Sequence, residues 1–250
     1  MANEKVFDHR AENYAKARPG YAPEVHELFF KLFPAPGAAA DIGCGTGIFA
    51  KPLLERGLRV FGVEPNGEMR EKAVKALSGF PDFIPVAAPA EATTLPDNSV
   101  SAVTMGSALH WFDPDAFGKE CRRILTPGGL FFAVINARDY EDPFTKAQHA
   151  LCERFCPGFS SLRHGLLKTK PRAEAILGEQ FHEAVFDFPL TYQKEDFLLR
   201  SLSSSYAPEE GSPECSAYVT ELRRLMEEFF PDSDTLTVPN VSVVFWGNPK

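Results

Sequence analysis

A glycine-rich loop at residues 43–47, with the sequence G-C-G-T-G, constrains this chain more than any other feature. It follows an apolar stretch, 38–43, that predicts a short buried strand, and it precedes a helical pattern at 48–56. Glycine tolerates positive φ and lets the backbone come close to a ligand. Pro52 removes a backbone donor from the helical pattern, so that helix should be kinked or should start late.

Strand and helix patterns alternate along residues 38–136. Further strands are predicted at 58–63, 82–87, 100–105 and 130–136, further helices at 67–77 and 115–125, and a turn at 126–129. This alternation is typical of a parallel, doubly wound sheet with helices on its faces. The sequence therefore predicts an α/β fold.

The segments around this pattern complete one predicted domain of 250 residues. We expect a helical cap at 1–34, a nucleotide-binding core at 35–137, helical lid segments at 138–180 and 193–232, and the last two strands at 181–192 and 235–247. A helical insertion before the last strands would cover the site. Specificity is expected to reside in this lid.

Composition excludes several classes of function. The net charge of -8 and the lack of a basic run argue against nucleic-acid binding. No apolar run approaches the roughly 18 residues that span a membrane, so we expect a cytoplasmic protein, a monomer or homodimer, that does not act at a membrane. The five cysteines are irregularly spaced, and Cys152 and Cys156 lack a second pair of metal ligands. No metal is expected.

Two carboxylates beside the glycine loop indicate which ligand it takes. Glu64 ends the predicted second strand, where a carboxylate can accept hydrogen bonds from both ribose hydroxyls. Asp41 leads the loop, and its charge would repel a pyrophosphate but would suit a cationic amino group. The G-x-G-x-G spacing also differs from the G-x-G-x-x-G of dinucleotide-binding proteins. The pattern favours adenosine linked to an α-amino acid, and an NAD-dependent oxidoreductase is the alternative.

At this point the sequence resembles the class I S-adenosylmethionine-dependent methyltransferases. The loop at 41–47 matches their first motif, and Glu64 in V-E-P-N matches their second. The residues A-E at 90–91, with L-P-D-N-S-V at 95–100, resemble their adenine loop. The residues L-T-P-G-G at 125–129 resemble the turn before their fifth strand. The resemblance implies a Rossmann-like methyltransferase fold with a mostly parallel seven-stranded sheet. Ser101 departs from it, because the family usually carries an acid there.

A narrower resemblance, to a subgroup containing trans-aconitate methyltransferase, covers most of the chain. It rests on Y-x-x-x-R-P-x-Y at 14–21, A-L-H-W-F-D at 108–113 and S-S-S-Y at 203–206. It implies that an amino-terminal helix closes over the cofactor, with Tyr14 and Arg18 near its methionine end. Arg18 could form a bidentate pair with the methionine carboxylate.

These patterns give the predicted site. The cofactor S-adenosylmethionine, with S-adenosylhomocysteine as product, is expected to contact Tyr14, Arg18, Asp41, Gly43, Cys44, Gly45, Glu64, Pro65, Asn66, Met69, Ala90, Glu91, Ser107, His110 and Trp111. The substrate pocket is expected to contain Tyr21, His110, Trp111, Arg163, Ser205 and Tyr206.

The predicted reaction is an in-line displacement that moves the methyl group to a small-molecule carboxylate, hydroxyl or amine. Since a sulfonium donor is already activated, the protein mainly aligns the reactants. His110 is the candidate base if the acceptor must lose a proton, although it could equally line the pocket or only pack beside Trp111. Asp113 before Pro114 is expected to cap a helix. A non-catalytic protein that binds S-adenosylmethionine is a further alternative.

Overall fold

The computed structural model describes residues 19–33, 37–162, 164–204 and 206–249. The chain divides into two compact units. The first unit comprises Met1–Asn136, Gly165–Phe186 and Ser242–Lys250, and the second comprises Ala137–His164 and Asp187–Val241. Residues 1–18 and 34 of the predicted helical cap lie outside the described ranges.

Eight α-helices and nine strands follow one another in the described ranges. The helices are α1 Pro23–Leu32, α2 Ala50–Glu55, α3 Gly67–Ala76, α4 Pro114–Ile124, α5 Pro143–Phe155, α6 His164–Leu177, α7 Lys194–Leu202 and α8 Pro213–Phe229. The strands are β1 Ala38–Ile42, β2 Arg59–Val63, β3 Phe83–Val86, β4 Val100–Gly106, β5 Leu125–Arg138, β6 His182–Asp187, β7 Leu190–Gln193, β8 Thr235–Val238 and β9 Asn240–Gly247. None of these helices has the length and apolar character that crossing a membrane requires.

Seven strands form the main sheet in the order β3-β2-β1-β4-β5-β9-β6, and β7 pairs with β8 in a separate antiparallel ribbon. The pairings of β1 with β2 and β4, of β2 with β3 and of β4 with β5 are parallel. The chain order reverses at β1, which lies between β2 and β4. In such a sheet ligands bind at the carboxyl ends of the strands beside the reversal. The predicted mostly parallel, seven-stranded α/β fold is confirmed.

Two prolines change the predicted last strands. The segments 181–192 and 235–247, each predicted as one strand, are two strands apiece, separated at Phe188-Pro189 and at Pro239. Proline has no N–H to donate to a strand ladder, so the pairing stops at these positions. The pieces on either side of each break then belong to different sheets.

Two other local predictions have different outcomes. Helix α2 begins only at Ala50, which places Pro52 in the first turn, where no intrahelical donor is required. The predicted late start is therefore confirmed. The predicted turn at 126–129 instead lies within β5, where the register with β4 jumps from Leu125 to Leu130. Gly128, with φ of 79°, lets the strand bulge without ending.

Each unit has its own apolar interior. In the first unit, the Phe29 ring of α1 meets Phe132 of β5 edge to face at 5.3 Å, and Phe49 lies 6.2 Å from the same ring. In the second unit, a buried cluster joins α5, α7, α8 and the β7–β8 ribbon. Its largest members are Phe144, Phe197 and Tyr218.

A buried carboxylate on α4 fastens the loop between β3 and β4. One oxygen of Glu120 accepts hydrogen bonds from the backbone N–H and the hydroxyl of Thr93, and both oxygens bind the Arg123 guanidinium at 2.7 and 2.8 Å. Arg123 also donates to the Leu95 carbonyl and to Asp97. Burial alone would raise the pKa of Glu120, but these bonds lower it below its ordinary value.

We expect Glu120→Gln to destabilise the protein by about 1–3 kcal/mol, because the amide cannot satisfy Thr93 and Arg123 together. Since the pKa of Glu120 is lower in the folded state, this loss is fully present above the ordinary glutamate pKa of about 4.3 and shrinks as pH falls below it. Urea unfolding at pH 7 and pH 4 measures both effects. Glu55→Gln, at an exposed helical ion pair with Lys51, is the control and should change stability by less than about 0.5 kcal/mol. If Glu120→Gln and Glu55→Gln lose the same stability, the hydrogen bonds of Glu120 do not stabilise the fold.

Candidate functional site

The carboxyl ends of three neighbouring strands gather most of the predicted cofactor residues. Asp41 lies near the end of β1, Glu64 directly follows β2, and Ser107 directly follows β4. The strand register aligns them, since Asp41 is paired with Gly62 on one side and with Thr104 on the other. The structure thus brings together groups that are up to 66 residues apart in the sequence.

The glycine loop is held against β2 by its own backbone. The N–H groups of Gly43 and Cys44 both donate to the Val63 carbonyl, at 2.8 and 3.2 Å. Gly43 and Gly45 have φ of 65° and 56°, a region that residues with a Cβ rarely adopt. A Cβ on Gly43 would lie 2.8 Å from the Cβ of Ala108, so the loop and the segment after β4 are in close contact.

Asp41 is a fully buried acid with one unsatisfied oxygen. Its Oδ1 accepts a hydrogen bond from the Thr104 hydroxyl at 3.1 Å, whereas its Oδ2 is shielded from solvent and has no hydrogen-bond partner among the described residues. Burial, with a smaller contribution from the charge of Glu64, raises the pKa of Asp41 to about 7, although the Thr104 bond opposes the shift. A cation that reached Oδ2 would relieve this cost.

Glu64 has a different role, because protein groups already hold both of its oxygens. Oε2 accepts from the Gly45 N–H and Oε1 from the Asn66 N–H, each at 3.0 Å. Arg70 donates to the Glu64 carbonyl at 2.7 Å. Burial raises the pKa of Glu64 and the backbone bonds oppose it. Each carboxylate oxygen can accept a second bond, so the orientation is fixed while acceptor capacity for hydroxyl groups is left.

The residues after Glu64 start helix α3 beneath the loop. The Asn66 side chain caps this helix by accepting from the Met69 N–H at 3.0 Å. Pro65 is exposed, whereas Met69 is buried, and its methyl carbon lies 3.5 Å from the Cβ position of Gly45. Cys44 is buried with a strongly raised thiol pKa, because burial and the neighbouring acids disfavour its thiolate. A buried thiol of this kind is a poor nucleophile, and the predicted contact of Cys44 with the cofactor remains a prediction.

The segment 107–112 forms the other wall of the site. Ser107 has φ of 56° and donates its N–H to Val134, and its hydroxyl accepts from Tyr21 at 3.3 Å. A short 3₁₀ helix, Leu109–Trp111, follows. The His110 and Trp111 rings lie 4.8 Å apart, and Trp111 is 44% exposed. The roles predicted for Tyr21, Ser107, His110 and Trp111 in cofactor or substrate binding remain predictions.

The predicted adenine loop is anchored at its first residues. Ala90 is buried, and the Glu91 carboxylate accepts from the Asp113 N–H at 3.0 Å. Asp113 in turn caps helix α4 by accepting from the Ala116 N–H, as the sequence predicts. Glu91 therefore joins the adenine loop to the end of the 107–112 wall, and its predicted contact with the cofactor remains a prediction.

The remaining predicted site residues are either outside the described ranges or in the second unit. Tyr14, Arg18, Arg163 and Ser205 are outside the described residues, so their roles stay predictions. Tyr206 belongs to the second unit, where its ring contacts Phe159 at 5.0 Å. Ser101 stands where the resemblance leads one to expect an acid. A Cβ placed on Gly37, just before β1, would lie 3.1 Å from the Ser101 hydroxyl oxygen, so Ser101 is at the opposite end of β1 from the loop. The described part of the chain contains no cluster of three or more metal-ligating side chains.

Sequence reasoning missed two residues that hold the site's acids. The Thr104 hydroxyl donates a hydrogen bond to the Asp41 carboxylate, and the Arg70 guanidinium donates one to the backbone carbonyl of Glu64. A hydroxyl within the apolar strand at 100–105 is a signal that could have drawn attention to Thr104. No sequence signal marks Arg70, because its bond to the Glu64 carbonyl depends on how helix α3 packs after β2.

We expect Gly43→Ala to destabilise the protein by about 1–3 kcal/mol more than Gly57→Ala, as measured by urea unfolding. Both glycines have positive φ, 65° and 81°, so both substitutions strain the backbone. Only at Gly43 would the new methyl group collide with a neighbour, Ala108, since a Cβ on Gly57 has no atom within 4 Å. Losses of the same size at the two positions would show that the loop is not packed against the 107–112 segment.

Asp41→Asn should raise the melting temperature at pH 8, with a gain on the order of 1–3 kcal/mol, because it removes a buried charge and keeps an oxygen for Thr104. Since the pKa of Asp41 is raised to about 7, the folded wild type loses stability as pH rises from about 4 to 7. The advantage of the variant should therefore be small at pH 5 and constant above pH 8. Asp82→Asn, at an exposed ion pair with Arg59, is the control. If the melting temperatures of wild type and Asp41→Asn change with pH in the same way, Asp41 does not have a raised pKa in the folded protein.

Known proteins are similar to this chain in sequence and in fold. Residues 40–133, which contain the loop, Glu64 and the 107–112 segment, match the family model described as a methyltransferase domain. A solved structure from Anaeromyxobacter dehalogenans, provisionally named a type II methyltransferase, superposes with a TM-score of 0.69 at 25% identity, over 92% of this chain and 97% of that one.

Two relatives extend the match. An uncharacterised methyltransferase of Geobacillus kaustophilus is 31% identical over 202 residues, which cover 75% of this chain and 90% of the relative. An uncharacterised methyltransferase of Mycobacterium tuberculosis is 40% identical over 127 residues, so the chain matches about half of that relative's length (50% of each). With the loop, the two acids and the seven-stranded sheet in place, the chain belongs to the class I S-adenosylmethionine-dependent methyltransferases.

Proposed function

We propose that this chain binds S-adenosylmethionine at the carboxyl ends of β1, β2 and β4 and transfers its methyl group to a small-molecule acceptor. The observation that carries the proposal is the buried Asp41, whose Oδ2 has no hydrogen-bond partner among the described residues beside a glycine loop of positive φ. A negatively charged, solvent-shielded oxygen at this point suits a cationic amino group. It does not suit a pyrophosphate, which disfavours the NAD alternative.

The residues present fit the two ends of the cofactor. Asp41 would accept from the α-amino group, and Glu64 would accept from the ribose hydroxyls through the lone pairs that Gly45 and Asn66 leave free. The absent Cβ at Gly45 would let the ligand approach the backbone. Ala90 and Glu91 would border the adenine, and Ser107, His110 and Trp111 the methionine end, together with Tyr14 and Arg18 from the amino-terminal segment.

When bound, the cofactor supplies an activated methyl group on a positively charged sulfur. The protein's own task is then to hold the acceptor in line and to keep water away. The 107–112 wall, whose Ala108 lies close to Gly43 of the loop, would do so. His110 would take a proton from a hydroxyl or amine acceptor, whereas a carboxylate acceptor requires no base. The subgroup that contains trans-aconitate methyltransferase supplies the finer hypothesis of a carboxylic acid acceptor.

We expect S-adenosylhomocysteine binding, measured by isothermal calorimetry, to release close to one proton at pH 6 and almost none at pH 8.5. The pKa of Asp41 is about 7 in the free chain, and an ammonium group can pair only with its ionised form. Below pH 6 the affinity should therefore fall by up to about tenfold per pH unit. Proton release is obtained by comparing buffers of different ionisation enthalpy.

Variants separate the two acids in this measurement. Asp41→Asn should abolish the proton release and weaken binding roughly 10- to 100-fold, since a charge-assisted hydrogen bond is lost. Glu64→Gln should weaken binding and retain the proton release, and Asp82→Asn should change neither. No binding by the folded wild type would refute the proposal. Binding without methyl transfer to any acceptor in a broad panel would instead favour the non-catalytic S-adenosylmethionine-binding protein.

A further inference from the structure

The second unit contains a partly buried arginine, Arg138, that forms no ion pair with an acid in the described part of this unit. Arg138 ends β5, and its Cζ lies 5.3 Å from the centroid of the Phe197 ring on α7. Its Nη1 is shielded from solvent and has no hydrogen-bond partner among the described residues. The described part of this unit contains ion pairs of other basic side chains, among them Lys146, Lys194, Arg223 and Arg224.

Other groups of the same unit surround this guanidinium. Arg200 lies with its Cζ 5.5 Å from the Tyr192 ring, and that ring is 5.6 Å from Phe197. Burial and then the charge of Arg200 lower the pKa of Arg138, and Tyr192, Tyr206 and Asp142 oppose this. A guanidinium nevertheless stays charged at every physiological pH. Two cations therefore flank a pair of aromatic rings.

The acid that acts on Arg138 electrostatically is Asp142, and one of its oxygens already caps a helix. Asp142 caps helix α5, with its Oδ2 accepting from the Thr145 N–H at 2.7 Å. The Tyr192 hydroxyl is a second buried polar group with no hydrogen-bond partner in the described ranges. A buried charge is costly unless it is paired. Arg138 and Tyr192 thus offer donors that the described protein does not use.

The chemistry of these donors selects the ligand. An arginine presents two parallel N–H groups that match the two oxygens of a carboxylate, and a tyrosine hydroxyl can add a third bond. Aromatic rings beside them, Tyr192, Phe197 and Tyr206, favour an apolar body on the same molecule. A cationic or neutral ligand would leave the guanidinium unpaired.

We propose that Arg138 and Tyr192 bind the carboxylate of a small organic acid with an apolar body, and that such an acid is the methyl acceptor. The site itself stands on the second unit alone, whereas its assignment to the acceptor rests on the proposed methyltransferase function. Tyr206, predicted from the sequence as a substrate residue, belongs to this cluster and electrostatically influences Arg138.

Calorimetric titration with phenylacetate and with hexanoate, each compared with its neutral amide, tests the site. We expect at least one acid to bind the full chain at least tenfold more tightly than its amide. Arg138→Lys, which keeps the charge and loses the two-pronged geometry, should weaken that binding at least tenfold. Tyr192→Phe, which removes only the hydroxyl, should weaken it several-fold with an unchanged melting temperature.

Arg154→Lys is the matched control, because Arg154 also lies over a phenylalanine ring, Phe155, but on an exposed part of the same unit. It should leave the affinity unchanged. The inference is overturned if neither acid binds, if amide and acid bind equally, or if Tyr192→Phe and Arg138→Lys both retain wild-type affinity. Should Arg138→Lys fail to fold, Tyr192→Phe decides alone.

A separate titration with S-adenosylhomocysteine distinguishes the two proposals. Cofactor binding without acid binding would leave the methyltransferase function standing and overturn the carboxylate site. Acid binding without cofactor binding would support the site and refute the proposed function, and with it the assignment of the acid as acceptor. When both bind, methyl transfer to the tighter-binding acid should fall in Arg138→Lys through KM, with kcat less affected.

Discussion

The two hydrogen bonds from Gly43 and Cys44 to the Val63 carbonyl are the constraint on which the site depends. They turn the chain sharply as it leaves β1 and tie the loop to the end of β2, where Glu64 follows. The turn requires positive φ at Gly43 and Gly45, and the absence of a Cβ at Gly43 lets Ala108 close against it. This turn therefore brings the carboxyl ends of β1, β2 and β4 together at one surface.

The acids at this surface are costly to bury, whereas a neighbouring acid, Glu120, is stabilised by its hydrogen bonds. Asp41 is buried with its pKa raised, and Glu64 is buried with both oxygens held. Such acids destabilise the free protein and favour a cationic or hydroxyl-bearing ligand, the usual exchange of stability for binding. The Glu120–Arg123 arrangement has the opposite character. It satisfies its charges internally and holds the loop at 93–97 in place.

The two units use opposite charges. In the first unit, the Asp41 Oδ2 has no hydrogen-bond partner among the described residues, which would suit a ligand with a positive group. In the second unit, the Arg138 Nη1 also has no partner within the described ranges, which would suit a negative group. In the proposed reaction, the cofactor would carry the positive charge and the acceptor would carry the negative charge. This complementarity follows from the side chains of each unit taken separately.

The sequence by itself determined the alternation of strands and helices, the position of the glycine loop, the caps at Asp113 and the late start of α2. All of these depend on local properties, namely periodicity, backbone freedom and the missing N–H of proline. It also determined which acids lead and follow the loop, because motif spacing is linear. Only the tertiary structure decided what those acids contact. Thr104 donates to Asp41 although 63 residues separate them in the sequence, and Arg138 lies beside Phe197 with an Nη1 that has no hydrogen-bond partner among the described residues. Pairing between distant segments, and the burial that gives each charge its cost, arise only when the strands are placed side by side.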